Sequence, residues 1–146
     1  MAQVVARPPL RWAVVIVGLD PTEGHEQSGS RRALVVSYEA FHGSGLLTVC
    51  PITATRSTPR YPGEIAIPTG EAGQTKDGLI LCAQVRTISV RRIRVISVRR
   101  IRADGILAGG GVAYLNNPAI RSAVRTALGH HLGLDVPVLA DGAAGL

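Results

Sequence analysis

One short stretch carries the residue types that could handle a phosphate. Leu19 to Ser37 reads LDPTEGHEQSGSRRALVVS. Arg31 follows a glycine-rich loop and can present a planar guanidinium fork to a phosphate. His25, inside the loop, carries an imidazole that can give or take a proton. Glu26 and Gln27 stand between them, and farther on Thr53 closes the run VCPIT with a hydroxyl. Taken singly, each has an ordinary alternative. A loop arginine is commonly a surface cation, a lone loop histidine is commonly just solvated, and a strand-end threonine commonly bonds its own backbone.

The rest of the composition narrows the chemistry. Cys50 and Cys82 each sit in an apolar run and read as reduced core thiols. Neither has metal-ligand spacing with any of the four histidines, so metal-free chemistry without a cofactor is expected. An apolar content of 46% excludes a disordered tail protein. No apolar run approaches the ~20 residues that cross a membrane. The stretch VVIVGL near the start is followed by acidic DPTEGHE and reads as a first strand, not a signal segment, which gives a cytoplasmic expectation. Net charge is +6, nearly all from arginine, since Lys76 is the single lysine. Half of that charge could come from a local duplication. Residues 87–102 read TISVRRIRVISVRRIR, each copy holds three arginines, and removing one copy takes +6 to +3. Global charge is therefore a mild pointer to nucleic acid.

The elements that must position these residues are short. VVIVGL (14–19), ALVVSY (33–38), GLLTVCPIT (45–53), GEIAIP (63–68) and GLILCAQVRTI (78–88) read as strands between separators rich in Gly, Pro, Ser and Thr. Five such strands without intervening helices predict a small closed or partly closed β-barrel. The C-terminal third differs: Asn117 is set to cap a helix, Pro118 to open it and Gly133 to stop it. Ile120, Val124, Ala127, Leu128 and Leu132 fall on one face. The expectation is one domain over 1–146, with its core at about 12–134, a tandem insertion at 95–102 and a loose tail at 135–146.

The ordered motifs add a resemblance. Asp20, Pro21, Thr22, Gly24, Glu26, Gln27, Gly29 and Arg31 match the pattern DPT-x-G-x-EQ-x-G-x-R of the MazF/PemK/Kid family of toxin endoribonucleases. VCPITAT, RYPGEIAIP and LCAQVRTI resemble three further motifs of that family, in the same order, across roughly residues 14 to 90. The resemblance implies a mainly β fold with a C-terminal helix, an SH3-like barrel that dimerises. It implies metal-independent cleavage of single-stranded RNA at short sequences, leaving a 2′,3′-cyclic phosphate and a 5′-OH, and silencing by an antitoxin protein. It carries catalytic roles onto Arg31, Thr53 and His25. Glu26, Gln27, Arg56, Arg60, Gln84 and Arg86 become RNA-binding candidates, the variable segments 54–62 and 69–77 setting base choice. For Arg56 and Arg60 a solvated basic rim is an equal reading.

The chain also departs from the pattern. Ala83 replaces the acid before Gln84, Leu81 the arginine of the PemK/Kid branch, Arg32 a proline, Gly63 a phenylalanine, and Trp12-Ala13 a Gly-Asp pair. Activity would then rest on Arg31 and Thr53 with His25. Two other functions follow from the same residues: a degenerate toxin that binds RNA or antitoxin without cutting, and a gyrase-inhibiting toxin on the same fold, which lacks the GxEQxGxR loop. As for the repeat, an eight-residue insertion preserves strand parity. Within each copy the apolar face switches at the paired arginines, which predicts a bend.

Overall fold

The computed structural model describes residues 9–27, 29–95 and 112–139. Among the described residues the antiparallel strands are β1 (Ala13–Gly18), β2 (Ser30–Val35), β3 (Leu46–Thr53), β4 (Glu64–Ile67), β5 (Gly78–Leu81), β6 (Arg86–Ser89), β7 (Ile93–Val95) and β8 (Ala113–Tyr114), and helix α1 (Pro118–His131) follows. The order is β4-β5-β3-β2-β1-β7, with β6 beside β3 and β8 beside β1. Two strands therefore serve two partners along one edge. β3 pairs β6 over Leu46–Val49 and β5 over Ile52–Thr53. β1 pairs β8 at Ala13–Val14 and β7 at Ile16–Val17. These forks roll the sheet into the expected small barrel-like body, while its end strands β4 and β7 are not paired with each other.

Side-chain alternation along β1 to β3 fills both faces. Val14, Leu34, Cys50 and Ile52 join Ile80, Cys82, Leu115 and Val124 on one side. Val15, Val17, Ala33, Val35, Leu47, Val49 and Ile88 pack on the other. Burial on both faces explains why these strands read as nearly continuous apolar runs. The helix covers the first cluster. Asn117 Oδ1 accepts the N–H groups of Ala119 (2.9 Å) and Ile120 (3.2 Å), which would otherwise lack partners in the first turn. Ile120, Val124, Ala127 and Leu128 pack inward as the spacing predicts. Burying Val124 is worth about 1.5–3 kcal/mol. Leu132 does not follow: it is 62% exposed, because α1 ends at His131 and Gly133, at φ +69°, turns the chain away.

Two expectations change in detail, and the bend expected in the repeat is present in its first copy. β2 spans Ser30–Val35 rather than 33–38, because the backbones of Ser30, Arg31 and Arg32 pair with Gly18, Val17 and Ile16 whatever their side chains. The run expected as one strand over 78–88 is two strands separated by a 3-10 turn at Cys82–Gln84, the jog needed to pass from one half of β3 to the other. The first repeat copy bends at a 3-10 turn over Val90–Arg92, capped by Ser89 Oγ accepting the Arg91 N–H at 3.2 Å. The bend returns Ile93 to the same cluster that holds Ile88 and Val90, so the switch of face seen in the sequence is undone in space. The second copy from 96 onward, and the tail beyond 139, lie outside the described residues.

Candidate functional site

Where the second cluster ends, polar groups replace apolar ones. A cleft of about 530 Å³ is lined by His25, Glu26, Gln27, Pro51, Ala83, Gln84, Val85 and Arg86. Its outer wall is the loop between β1 and β2, closed at the base by the Leu19 N–H donating to Gly29 O at 3.0 Å. Its inner wall is the turn after β5. Gln84 joins the two: its Oε1 accepts the Gln27 N–H at 2.8 Å and its Nε2 donates to His25 O at 3.5 Å. Glu26 Oε1 accepts the Glu23 N–H at 3.2 Å, while its other oxygen lies 3.9 Å from Arg86 Nη1. Arg86 also donates to Leu19 O at 3.3 Å. One acceptor is left over. Gln27 Oε1 is buried without a hydrogen-bond partner, an uncompensated state worth about 1–3 kcal/mol to any ligand donor that meets it.

Arg31 and Thr53 belong to the adjoining strand face. The β2–β3 ladder pairs Val35 with Val49, Leu34 with Cys50 and Ala33 with Pro51. It ends at Pro51, which has no N–H to give. Alternation from that ladder puts Arg31 on the face shared with Val17, Val49 and Arg86, while Thr53 lies two residues past the ladder's end, where β3 pairs with β5 at Leu79. Thr53 is buried, and its Oγ1 bonds Thr55 Oγ1 at 2.9 Å and accepts the Thr55 N–H at 3.4 Å. The bond to its own neighbourhood is thus present, with the hydroxyl at the strand end nearest the cleft. Gly78 is required here, since a Cβ on it would stand 2.4 Å from Thr53 O.

Arg56 and Arg60 have a different setting, in the hairpin before β4. Both terminal nitrogens of Arg56 bond the Glu64 carboxylate, and its guanidinium lies 5.8 Å from the Tyr61 ring centroid. Glu64 also accepts the N–H groups of Arg60 (2.8 Å) and Tyr61 (3.1 Å). These donors, the Arg56 guanidinium first, hold the Glu64 carboxyl down to about 2. Arg56 is a clamp within its hairpin, whereas the Arg60 side chain is exposed. His25, Glu26, Gln27, Gln84 and Arg86 are therefore brought to one cleft, Arg31 and Thr53 share the strand face beside it, and Arg56 is engaged elsewhere.

The family of PemK-like, MazF-like toxins of type II toxin–antitoxin systems matches residues 10–106. This chain belongs to that toxin family. It is 40% identical over 81 residues to the endoribonuclease toxin ChpB of Escherichia coli strain K12, covering 55% of this chain and 69% of that protein. Its fold is similar to crystalline MazF from Deinococcus radiodurans, with TM-score 0.64 and 27% identity over 88% of this chain and 99% of that one. A mycobacterial endoribonuclease in complex with its cognate antitoxin shares the fold at TM-score 0.60, with 20% identity over 89% of this chain and 100% of that chain.

Within the toxin fold, the departures become legible as packing. Leu81 is buried in β5 opposite Glu64. Ala83 lines the cleft and touches Gly63, whose φ is +87° and whose added Cβ would meet Ala83 N at 3.2 Å. The two small residues fit each other, and Gly63 O accepts the Cys82 N–H at 2.9 Å. Arg32, on the face opposite Arg31, donates to Gly73 O at 3.1 Å. Trp12 adopts φ +69°, where glycine sits freely; its ring is buried with the Arg11 and Arg121 guanidinium carbons each 5.3 Å from the centroid. That backbone costs about 1–2 kcal/mol, less than the burial of an indole returns. Sequence reasoning missed Pro51 and Val85, which carry no chemical signal, and Arg92, which its repeat disguised as one of six equivalent cations.

Proposed function

We propose that this toxin is a metal-independent endoribonuclease that cuts single-stranded RNA at short sequences. The observation that carries the reading is the cleft that gathers His25, Gln27 and Arg86 beside the strand face of Arg31 and Thr53. Cleavage proceeds by attack of a ribose 2′-oxygen on the adjacent phosphorus, with rupture of the P–O5′ bond. One proton leaves the 2′-OH, another reaches the departing 5′-oxygen, and the products are a 2′,3′-cyclic phosphate and a 5′-OH. Arg31 neutralises the non-bridging oxygens as charge builds on them. His25, exposed on the cleft wall, transfers a proton. Thr53 donates its hydroxyl hydrogen to the phosphate after exchanging its Thr55 bond. Gln27, with its unpartnered Oε1, reads a base or 2′-OH donor. Glu26, Gln84 and Arg86 hold the loop that RNA must meet, and Arg60, exposed in the hairpin before β4, is available to the backbone.

By the same reading the toxin acts in the cytoplasm as a homodimer and is silenced by an antitoxin protein. The antitoxin complex of the mycobacterial endoribonuclease, on the same fold, supports this partner; none of the described helices is long and apolar enough to cross a membrane. The test is incubation of the purified protein with a long RNA in EDTA, followed by end-group analysis. Discrete cuts with cyclic-phosphate ends, lost in Arg31→Ala, are expected. RNA binding without cuts would overturn the reading in favour of a toxin that binds only, which the absent acid at Ala83 and the engaged hydroxyl of Thr53 favour.

A further inference from the structure

The paired arginines of the repeat look, in sequence, like phosphate ligands. Arg92 points into its own protein instead. Its Nη1 donates to Asp20 O at 2.7 Å and reaches Gly18 O at 3.4 Å. Arg86 takes the carbonyl between them, Leu19 O, at 3.3 Å. Three consecutive carbonyls at the root of the cleft loop are thus held by two guanidinium groups from the chain segment that runs β6, turn, β7. Arg94 lies over the same point, with its Nε and Nη2 3.1 Å from where a Cβ on Gly18 would stand. The turn that aims Arg92 is itself fixed, by the Ser89 cap at one end and by pairing of Ile93 with Val17 at the other.

We propose that Arg92 is a positioning residue for the cleft, fixing the carbonyls of Gly18 and Asp20 so that the following loop holds His25 and Gln27 at the RNA. The inference rests on the nuclease reading above and deepens it. A guanidinium is suited to the task because its Nη1 carries two N–H groups and can serve both carbonyls at once. The outer part of the loop is held to the body mainly through Gln84, so its root decides where it projects. A displacement of about 1 Å at reacting groups is enough to cost ~10²-fold in rate. Direct phosphate binding by Arg92 is the rival role, and it would leave a different kinetic mark.

The experiment compares wild type with Arg92→Ala, Arg92→Lys and, as a neighbouring control, exposed Arg91→Ala. For each, kcat and KM for RNA cleavage, their salt dependence, and hydrogen exchange of the amides in 20–29 and in β1 to β3 are measured. Expected for Arg92→Ala is a fall in kcat of about 10- to 100-fold, the value of a charge-assisted pair of hydrogen bonds, with KM moved less than about twofold on the same footing. Exchange should quicken in 20–29 and stay unchanged in the strands. Arg92→Lys, which keeps a donor for Asp20 O, should recover most of kcat, and Arg91→Ala should match wild type. A loss carried by KM, with the salt slope reduced by about one, would overturn the proposal in favour of phosphate binding. Faster exchange throughout the strands would overturn it in favour of a stability role. If the wild type does not cleave RNA, the nuclease reading falls by itself. The exchange data then still judge the clamp, unchanged protection of 20–29 in Arg92→Ala counting against it.

Discussion

Two arginine clamps stand in different parts of the molecule, one in the hairpin before β4 and one at the root of the cleft loop, and they work on different partners. In the hairpin before β4, Arg56 meets a carboxylate, Glu64, which also gathers the Arg60 and Tyr61 N–H groups. At the root of the cleft loop, Arg86 and Arg92 meet three neutral backbone carbonyls. The first clamp depends on a proton and the second does not. The cation is arginine in both, so a basic composition says little about which arginines remain for a polyanion. Between the clamps, Arg31 and Thr53 share a strand face whose register neither clamp interrupts.

The contrast can be broken most sharply at Arg31. Arg31→Ala is expected to lower RNA cleavage by about 10²- to 10³-fold, the scale of removing one preorganised charge donor, with the fold intact by circular dichroism. Cleavage within a few-fold of wild type would place the chemistry elsewhere. Next comes Gly78→Ala, which joins the two regions: the new Cβ would overlap Thr53 O, so β5 must part from the end of β3. A loss of about 1–3 kcal/mol in urea unfolding is expected, together with reduced cleavage from the displaced threonine.

A smaller effect distinguishes the clamps by pH. The Glu64 carboxyl is depressed from an ordinary 4.5 to about 2 by its bonds in the folded chain. A depressed folded value means that its contribution is complete above pH 4.5 and is lost as pH falls toward 2. The partner Arg56 side chain is 29% exposed, so water screens the pair and the contribution is about 1 kcal/mol or less. Urea unfolding from pH 6 to 2.5 should show Glu64→Gln losing less stability on acidification than wild type, whereas Arg92→Ala should follow the wild-type curve across this range. The least perturbing test concerns Cys50 and Cys82, which share the core cluster between the two regions. The hydrogen bond with Cys82 and burial push the Cys50 thiol up. Both thiols should resist an aromatic disulfide reagent in the native protein and react in denaturant; prompt native reaction would show that this part of the core opens.

Much of this was legible beforehand, for physical reasons that differ by element. Asn117, Pro118 and Gly133 specify the helix because capping, first-turn geometry and a left-handed stop are local properties of those residues. The strands were legible as apolar runs, yet β2 began three residues early and the run 78–88 broke in two. Backbone pairing is set by the neighbouring strand and not by the side chains that identify a run. Leu132 failed for a related reason: its spacing fits the face, but the helix had already ended. In the site, the loop motif pointed to His25, Gln27 and Arg31, while the pairing of Arg56, read as an RNA-binding candidate or a solvated rim, with Glu64 eight residues away was not legible.

By itself, the sequence determined the helix and its cap, the β-rich body, the loop that carries the family pattern, and the residue types available for proton and phosphate work. These depend on local stereochemistry and on periodic burial. Only the tertiary structure decided that Arg31 pairs across to Val17 in β1, that Gln84 holds the loop, and that Arg92 turns inward to Gly18 and Asp20. Those relations join residues up to 74 positions apart. A guanidinium takes whichever acceptors the fold brings within hydrogen-bond reach, so its role is fixed by register and turn geometry and not by its identity.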